Sequence, residues 1–106
     1  MSYRFHVTSH YISVNDQCLL SAVCARRDGR TWSPTTIELN TVLGNDDGAF
    51  SWDSNGFGAE AKEIRLIDRH ILSARLKRND GSWTEKPVTV DLAERIENLD
   101  GTLHCH

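Results

Sequence analysis

The sequence predicts an all-β protein of two pseudo-symmetric lobes. Three observations carry the prediction: a tandem repeat, four Asp-Gly turns in matched pairs, and apolar residues spaced two apart. Sliding the chain by 52 positions places Phe5 on Phe57, Ile12 on Ile64, Asp16 on Asp68 and Leu20-Ser21-Ala22 on Leu72-Ser73-Ala74. Arg26, Asp28 and Gly29 then fall on Arg78, Asp80 and Gly81. After a one-residue slip each way, Trp32 meets Trp83, Leu39 meets Leu92, and Asn45-Asp46-Asp47-Gly48 meets Asn98-Leu99-Asp100-Gly101. The copies span about residues 5–52 and 57–105. An open solenoid needs three or more units to bury a continuous core, so two copies imply a closed pseudo-twofold body.

Each copy reads in the same order. Leu20, Ala22 and Cys24 alternate with Ser21 and Val23, and Leu72, Ala74 and Leu76 alternate with Ser73 and Arg75, which is the pattern of a strand with one buried face. Both stretches run into Asp-Gly, at Asp28-Gly29 and Asp80-Gly81. Gly and Asp tolerate positive φ, so each copy is expected to carry a hairpin there. A Trp follows, then an apolar and acidic strand, Thr36-Ile37-Glu38-Leu39 or Thr89-Val90-Asp91-Leu92, and a second Asp-Gly at Asp47-Gly48 or Asp100-Gly101. Asn40-Thr41-Val42-Leu43 and Ala93-Glu94-Arg95-Ile96 are candidates for single helical turns, too short to alter the class.

With 106 residues, 39% hydrophobic and 25% charged, the chain has room for one domain over residues 1–106 with a modest core. A net charge of -3 with both signs interspersed gives no basic stripe, which argues against nucleic acid. No apolar run approaches the roughly 20 residues that span a bilayer, so no membrane partner is expected. The start, Met1-Ser2-Tyr3-Arg4-Phe5-His6, lacks the apolar stretch of a secretory signal, and the expected location is cytoplasmic. Three cysteines fit no zinc or redox spacing. If extended, Cys18 to Cys24 covers about 20 Å, whereas a disulfide needs Cα atoms within about 7 Å, so these two are expected as free thiols.

The doubled acidic-apolar strand, short turn and Asn-x-Asp-Gly, together with the Trp52–Phe57 linker, resemble the cyanovirin-N homologues over essentially the whole chain. That resemblance implies a lectin for high-mannose glycans that favours α1,2-linked mannose, with mannose-rich oligosaccharides or glycoproteins as partners. It implies two lobes, each a three-stranded sheet plus a β-hairpin, with strands exchanged between repeats: lobe A about 1–40 plus 93–106, lobe B about 41–92. Carried over residue by residue, a sugar site in lobe A comprises Arg4, Val7, Thr8, Ala25, Arg27, Asn98, Leu99 and Asp100. The site in lobe B comprises Gly44, Asn45, Asp47, Asn55, Glu60, Asn79 and Gly81. Lobe A retains more of the polar types and ranks first. Where the best-known members carry a disulfide in each lobe, this chain has Ser9 with Cys24 and Ala61 with Leu76, so neither bridge can form, as in fungal-type homologues. Ala25 and Gly81 replace longer polar side chains, which weakens the case for each site. A monomer is expected, and the Trp52–Phe57 linker leaves a domain-swapped dimer open.

The residue types suit a sugar. Vicinal hydroxyls donate and accept, and amides and carboxylates beside a Gly turn can take two at once, while Arg4 or Arg27 offers planar donors. Alternative readings are weaker. Asn45-Asp46-Asp47-Gly48 lacks an acidic residue at Leu43 to open a calcium loop and a Glu at Ser54 to close one. His104-Cys105-His106 is a three-residue tail, and no metal or cofactor is expected. Trp32, Trp52 and Trp83 are expected in the core rather than on a sugar-stacking platform. No nucleophile-elbow or other catalytic motif is present, so an enzyme is not expected. The competing reading is a protein-interaction module that has lost sugar binding.

Overall fold

Each repeat folds into five strands that pair within their own copy, and the sheet of each copy packs against the hairpin of the other. The computed structural model describes residues 3–106; Met1 and Ser2, the start of the lobe A range, lie outside them. In the first copy β1 (Ser9–Val14), β2 (Leu19–Ala25) and β3 (Trp32–Glu38) form an antiparallel sheet, followed by the hairpin β4 (Leu43–Asp46) and β5 (Ala49–Trp52). In the second copy β6 (Ala61–Ile67), β7 (Ile71–Leu76) and β8 (Val88–Asp91) form the sheet, and β9 (Ile96–Leu99) with β10 (Thr102–Cys105) the hairpin. The β9–β10 hairpin packs on β3, where the Leu103 amide donates to Thr35 Oγ1 at 3.2 Å, and β5 of the other hairpin lies against β8. Each lobe therefore joins a sheet from one copy to a hairpin from the other. The body measures 50 × 21 × 20 Å, long in one direction because the lobes sit end to end.

Four single turns of 3-10 helix, Phe5–Thr8, Leu39–Thr41, Phe57–Glu60 and Leu92–Glu94, link these strands. Two of them fall on the segments read as candidate helical turns. Phe5 and Phe57 are fully buried, each dropped from its turn into the core of its own lobe. The alternation in β2 is obeyed, with Leu20, Ala22 and Cys24 buried between less buried neighbours. In β7, Ser73 is buried as well.

One sequence expectation is refined and one needs correction. The expected hairpins form at Asp28-Gly29 and Asp80-Gly81, where β2 pairs with β3 and β7 with β8, but through connections longer than two residues. The last strand pair of the first sheet is Ala25 with Trp32, so a six-residue loop intervenes, and Asp28 organises it by accepting from the amides of Arg30 and Thr31 and from the Thr31 hydroxyl. Those bonds hold the Asp28 carboxyl at about 2. The other pair are tight turns: Asp47-Gly48 and Asp100-Gly101 have φ of 49° and 89°, and 50° and 91°, the doubly positive geometry that matches strand twist. Trp32 and Trp83 are not core residues, whereas Trp52 is partly buried and packs against the core. Trp32 is 45% exposed and stacks on His10 at 4.5 Å, Trp83 lies beneath Lys62, and Trp52 lies beneath Arg95. Trp32 and Trp83 sit opposite Ala25 and Lys77, at the loop ends of their sheets, where the outer face offers only partial cover.

Cys18, Cys24 and Cys105 are free. Ser9 pairs with Cys24 across β1 and β2, with Ser9 Oγ 3.1 Å from Cys24 Sγ, and Ala61 pairs with Leu76. A hydrogen-bonded contact and an apolar pair thus occupy the positions where the resemblance would have placed disulfides. Gly44 is buried so tightly that an added Cβ would lie 2.2 Å from Ser54 Oγ and 3.1 Å from the Asn55 carbonyl. Gly44→Ala is expected to cost about 1–3 kcal/mol, read as a shift of the urea midpoint.

Candidate functional site

The end of lobe A brings together three segments far apart in the chain, and Asn98 joins them. Its Nδ2 donates to Thr8 Oγ1 and to the Ala25 carbonyl, both at 2.9 Å, while its Oδ1 accepts from the Gly101 amide at 2.8 Å. Asp100, next but one along the turn, accepts from the Arg27 amide at 2.9 Å and lies 3.9 Å from the Arg26 guanidinium. Gly101 is required here: besides its positive φ, an added Cβ would sit 2.8 Å from Arg26 Cγ and 3.0 Å from Ser33 Cβ. Seven of the eight lobe A residues named from sequence thus lie on these three joined segments: Val7 and Thr8 on the first turn, Ala25 and Arg27 at the hairpin loop, and Asn98, Leu99 and Asp100 at the β9–β10 turn. Arg4, the eighth, immediately precedes the first turn in left-handed backbone with φ 49°. Val7 and Leu99 are exposed, while Thr8, Arg27 and Asp100 present polar groups beside them.

The turn that carries Thr8 is anchored to the other lobe. The His6 ring stacks on His70 at 4.0 Å, His70 Nδ1 lies 2.7 Å from Asp91 Oδ1, and Arg69 donates to the carbonyls of His6 and Ser9. Burial, and then the neighbouring His70, push the His6 pKa below its usual value; Asp91 opposes the shift, and Arg4 and Arg69 add to it. A lowered folded pKa means that the unfolded chain takes up the proton first. Stability is then intact above about pH 6.5 and is lost as pH falls through the lowered value. Urea midpoints measured from pH 7 to pH 5 should fall more for the native chain than for His6→Phe, which keeps a stacking ring but cannot titrate.

Lobe B repeats the brace with one strut fewer. Asn45 Nδ2 donates to the Lys77 carbonyl at 2.7 Å, its Oδ1 accepts from Gly48 at 2.8 Å, and Asp47 accepts from the Asn79 amide at 3.0 Å. Glu60 occupies the place of Thr8, and its carbonyl accepts from Lys77 at 2.9 Å. Gly44 contributes no surface, because it is buried against Ser54 and the Asn55 backbone, with Asn55 itself exposed. Gly81 stands open in the loop with φ 89°. Sequence reasoning missed Arg26 and Arg78, whose stems cover Gly101 and Gly48, and the carbonyl of Lys77. Arg26 falling on Arg78 in the repeat was the available signal.

The tail does not gather into a metal centre: His106 Nε2 lies 2.8 Å from Glu97, His104 meets the edge of the His106 ring, and the described residues contain no group of three or more His, Cys, Asp or Glu suited to a metal ion.

A chain with a doubled brace of this kind, and with hairpins exchanged between repeats, matches the CVNH domain family model over residues 5–104. The chain belongs to the CVNH domain family. A cyanovirin-N homolog of Neurospora crassa is 32% identical over 105 residues, covering 92% of this chain and 93% of the relative. The structure of the Gibberella zeae CVNH protein is 36% identical, superposes with a TM-score of 0.84 and covers 95% of each chain. Microvirin, solved as a mannobiose complex, is 28% identical with a TM-score of 0.82 over 100% of both chains. This CVNH domain thus shares the family architecture across its full described length.

Proposed function

We propose that the protein is a lectin that binds mannose-rich glycans, favouring α1,2-linked mannose, and that the end of lobe A is its working site. The observation that carries this reading is the cluster held by Asn98: three loops locked together, with Thr8, the Asp100 carboxylate, Arg4 and Arg27 exposed beside it. A pre-formed rim of this kind suits a hexose, because its donors and acceptors are fixed before the ligand arrives and little ordering remains to be done on binding. Family membership and the mannobiose complex of microvirin support the choice of sugar. In lobe B the missing Thr8–Asn98 strut and the buried Gly44 favour a weaker site. Three free cysteines support a reducing, cytoplasmic setting.

A two-dimensional NMR titration with α1,2-mannobiose tests the reading. Shifts at Thr8, Asn98 and Asp100 are expected at millimolar sugar, with smaller ones at Asn45, Asp47 and Asn55. No movement at any of these would overturn the sugar assignment in favour of a protein-binding module.

A further inference from the structure

The two repeats build the same backbone and then dress its outer faces in opposite ways. β1 and β6 each carry a bulge at an equivalent place, where Tyr11 has φ 55° and Glu63 has φ 56°. Residues paired directly across a sheet share a face. Ser21 with Thr36, Val23 with Pro34 and His10 with Val23 therefore lie together on the outside of lobe A, since the alternate residues Ala22 and Cys24 are buried inside. In lobe B the corresponding face is closed. Arg75, the counterpart of Val23, lies across it, with Nε donating to the Thr84 carbonyl at 2.8 Å and its guanidinium 3.6 Å from Glu63, the counterpart of Tyr11. Ser73 beneath is only 2% exposed, and Lys62 covers the ring of Trp83 at 4.5 Å.

In lobe A every one of those closing charges is missing. A groove of about 320 Å³ remains, with Val23 and Pro34 in its floor, the ring of Tyr11 as a wall 86% exposed, and Ser21 and Thr36 along the side. The hydroxyls of Tyr11, Ser21 and Thr36 make no hydrogen bond to any described residue. On the same face, outside the groove lining, stand the stacked rings of His10, which pairs with Val23, and Trp32, which pairs with Ala25 of the lobe A cluster. The floor carries no formal charge, and its free polar groups are neutral hydroxyls. That composition suits a neutral ligand with apolar faces and hydroxyl edges, which describes a pyranose chain, and the volume is at the small-ligand end of the usual range.

We propose that this outer groove of lobe A is a second carbohydrate site, built for a β1,4-linked chain of all-equatorial pyranoses and separate from the mannose site at the lobe's end. All-equatorial sugars expose axial C–H bonds on both faces, so each ring can lie on Tyr11 and Pro34 while its edge hydroxyls meet Ser21 and Thr36. The axial 2-hydroxyl of mannose interrupts one face.

Amide shifts read with cellotetraose, and separately with α1,2-mannobiose, test the proposal. Cellotetraose is expected to move Tyr11, Val23 and Thr36, and mannobiose to leave them still; because the mannose site is read at Asn98, failure of one assignment is distinguishable from failure of the other. Tyr11→Ala, at a position 86% exposed, should weaken the cellotetraose response by up to about tenfold. The double change Tyr11→Glu with Val23→Arg transplants the lobe B closure and should abolish it. No cellotetraose shift at these residues, an equal response to mannobiose, or an undiminished response in both variants overturns the proposal. So do shifts on this face that grow with protein concentration in the absence of sugar, which would mark a second copy of the chain as the occupant.

Discussion

Asn98→Ala is expected to lower the unfolding free energy by about 2–4 kcal/mol and to abolish mannobiose shifts in lobe A while leaving those in lobe B. The side chain makes three hydrogen bonds of 2.8–2.9 Å, to Thr8, Ala25 and Gly101. Each contributes about 1 kcal/mol net, and the half-buried Ala25 carbonyl is left without this donor, which adds to the loss. Asn45→Ala breaks two such bonds, to Lys77 and Gly48, and should cost about 1–3 kcal/mol. Urea denaturation monitored by tryptophan fluorescence ranks the two. Loss of sugar binding with unchanged stability would show instead that Asn98 meets the ligand and braces nothing.

Phe5→Ala should cost about 3–5 kcal/mol, the range for emptying a fully buried aromatic site. Against a total of about 5–15 kcal/mol for a domain, that is a large share, and the variant is expected to melt well below the native chain. Function should suffer first, because Phe5 pins the turn that carries Thr8 and its carbonyl accepts from Ser9 Oγ at 2.7 Å. Phe57→Ala should destabilise by a similar amount from the other lobe, where Phe57 meets the edge of Phe50 at 5.4 Å. At a temperature where both variants remain folded, mannobiose shifts at Thr8 should weaken for Phe5→Ala and persist for Phe57→Ala. Equal losses would mean that the lobes unfold as one unit and that the lobe A site is not locally governed by Phe5.

The strand order, the buried alternation of Leu20, Ala22 and Cys24, and the tight turns at Asp47-Gly48 and Asp100-Gly101 were legible because each follows from local rules of spacing and φ. Asp-Gly marked the hairpin at Asp28-Gly29 but not its length, because the carboxylate closes a six-residue loop on Arg30 and Thr31. The misreading of Trp32 and Trp83 has a local cause. Tryptophan is large and mostly apolar, which reads as core. Trp32 stacks on His10 at the outer edge of its sheet and stays 45% exposed.

By itself the sequence determined that the chain is a doubled β unit, where β2, β3, β7, β8 and the tight turns fall, and which face of β2 and β7 is apolar. Family resemblance then pointed to the residues of the lobe ends. Tertiary structure alone decided what Asn98 and Asn45 do with their amides, that Gly44 is buried, and that Val23 leaves open a groove that Arg75 closes. Period and turn chemistry act over a few residues and specify that a face must be covered. Contacts such as Asn98 to Thr8, 90 positions apart, depend on which hairpin covers it, and nothing in the local pattern distinguishes one copy's hairpin from the other's.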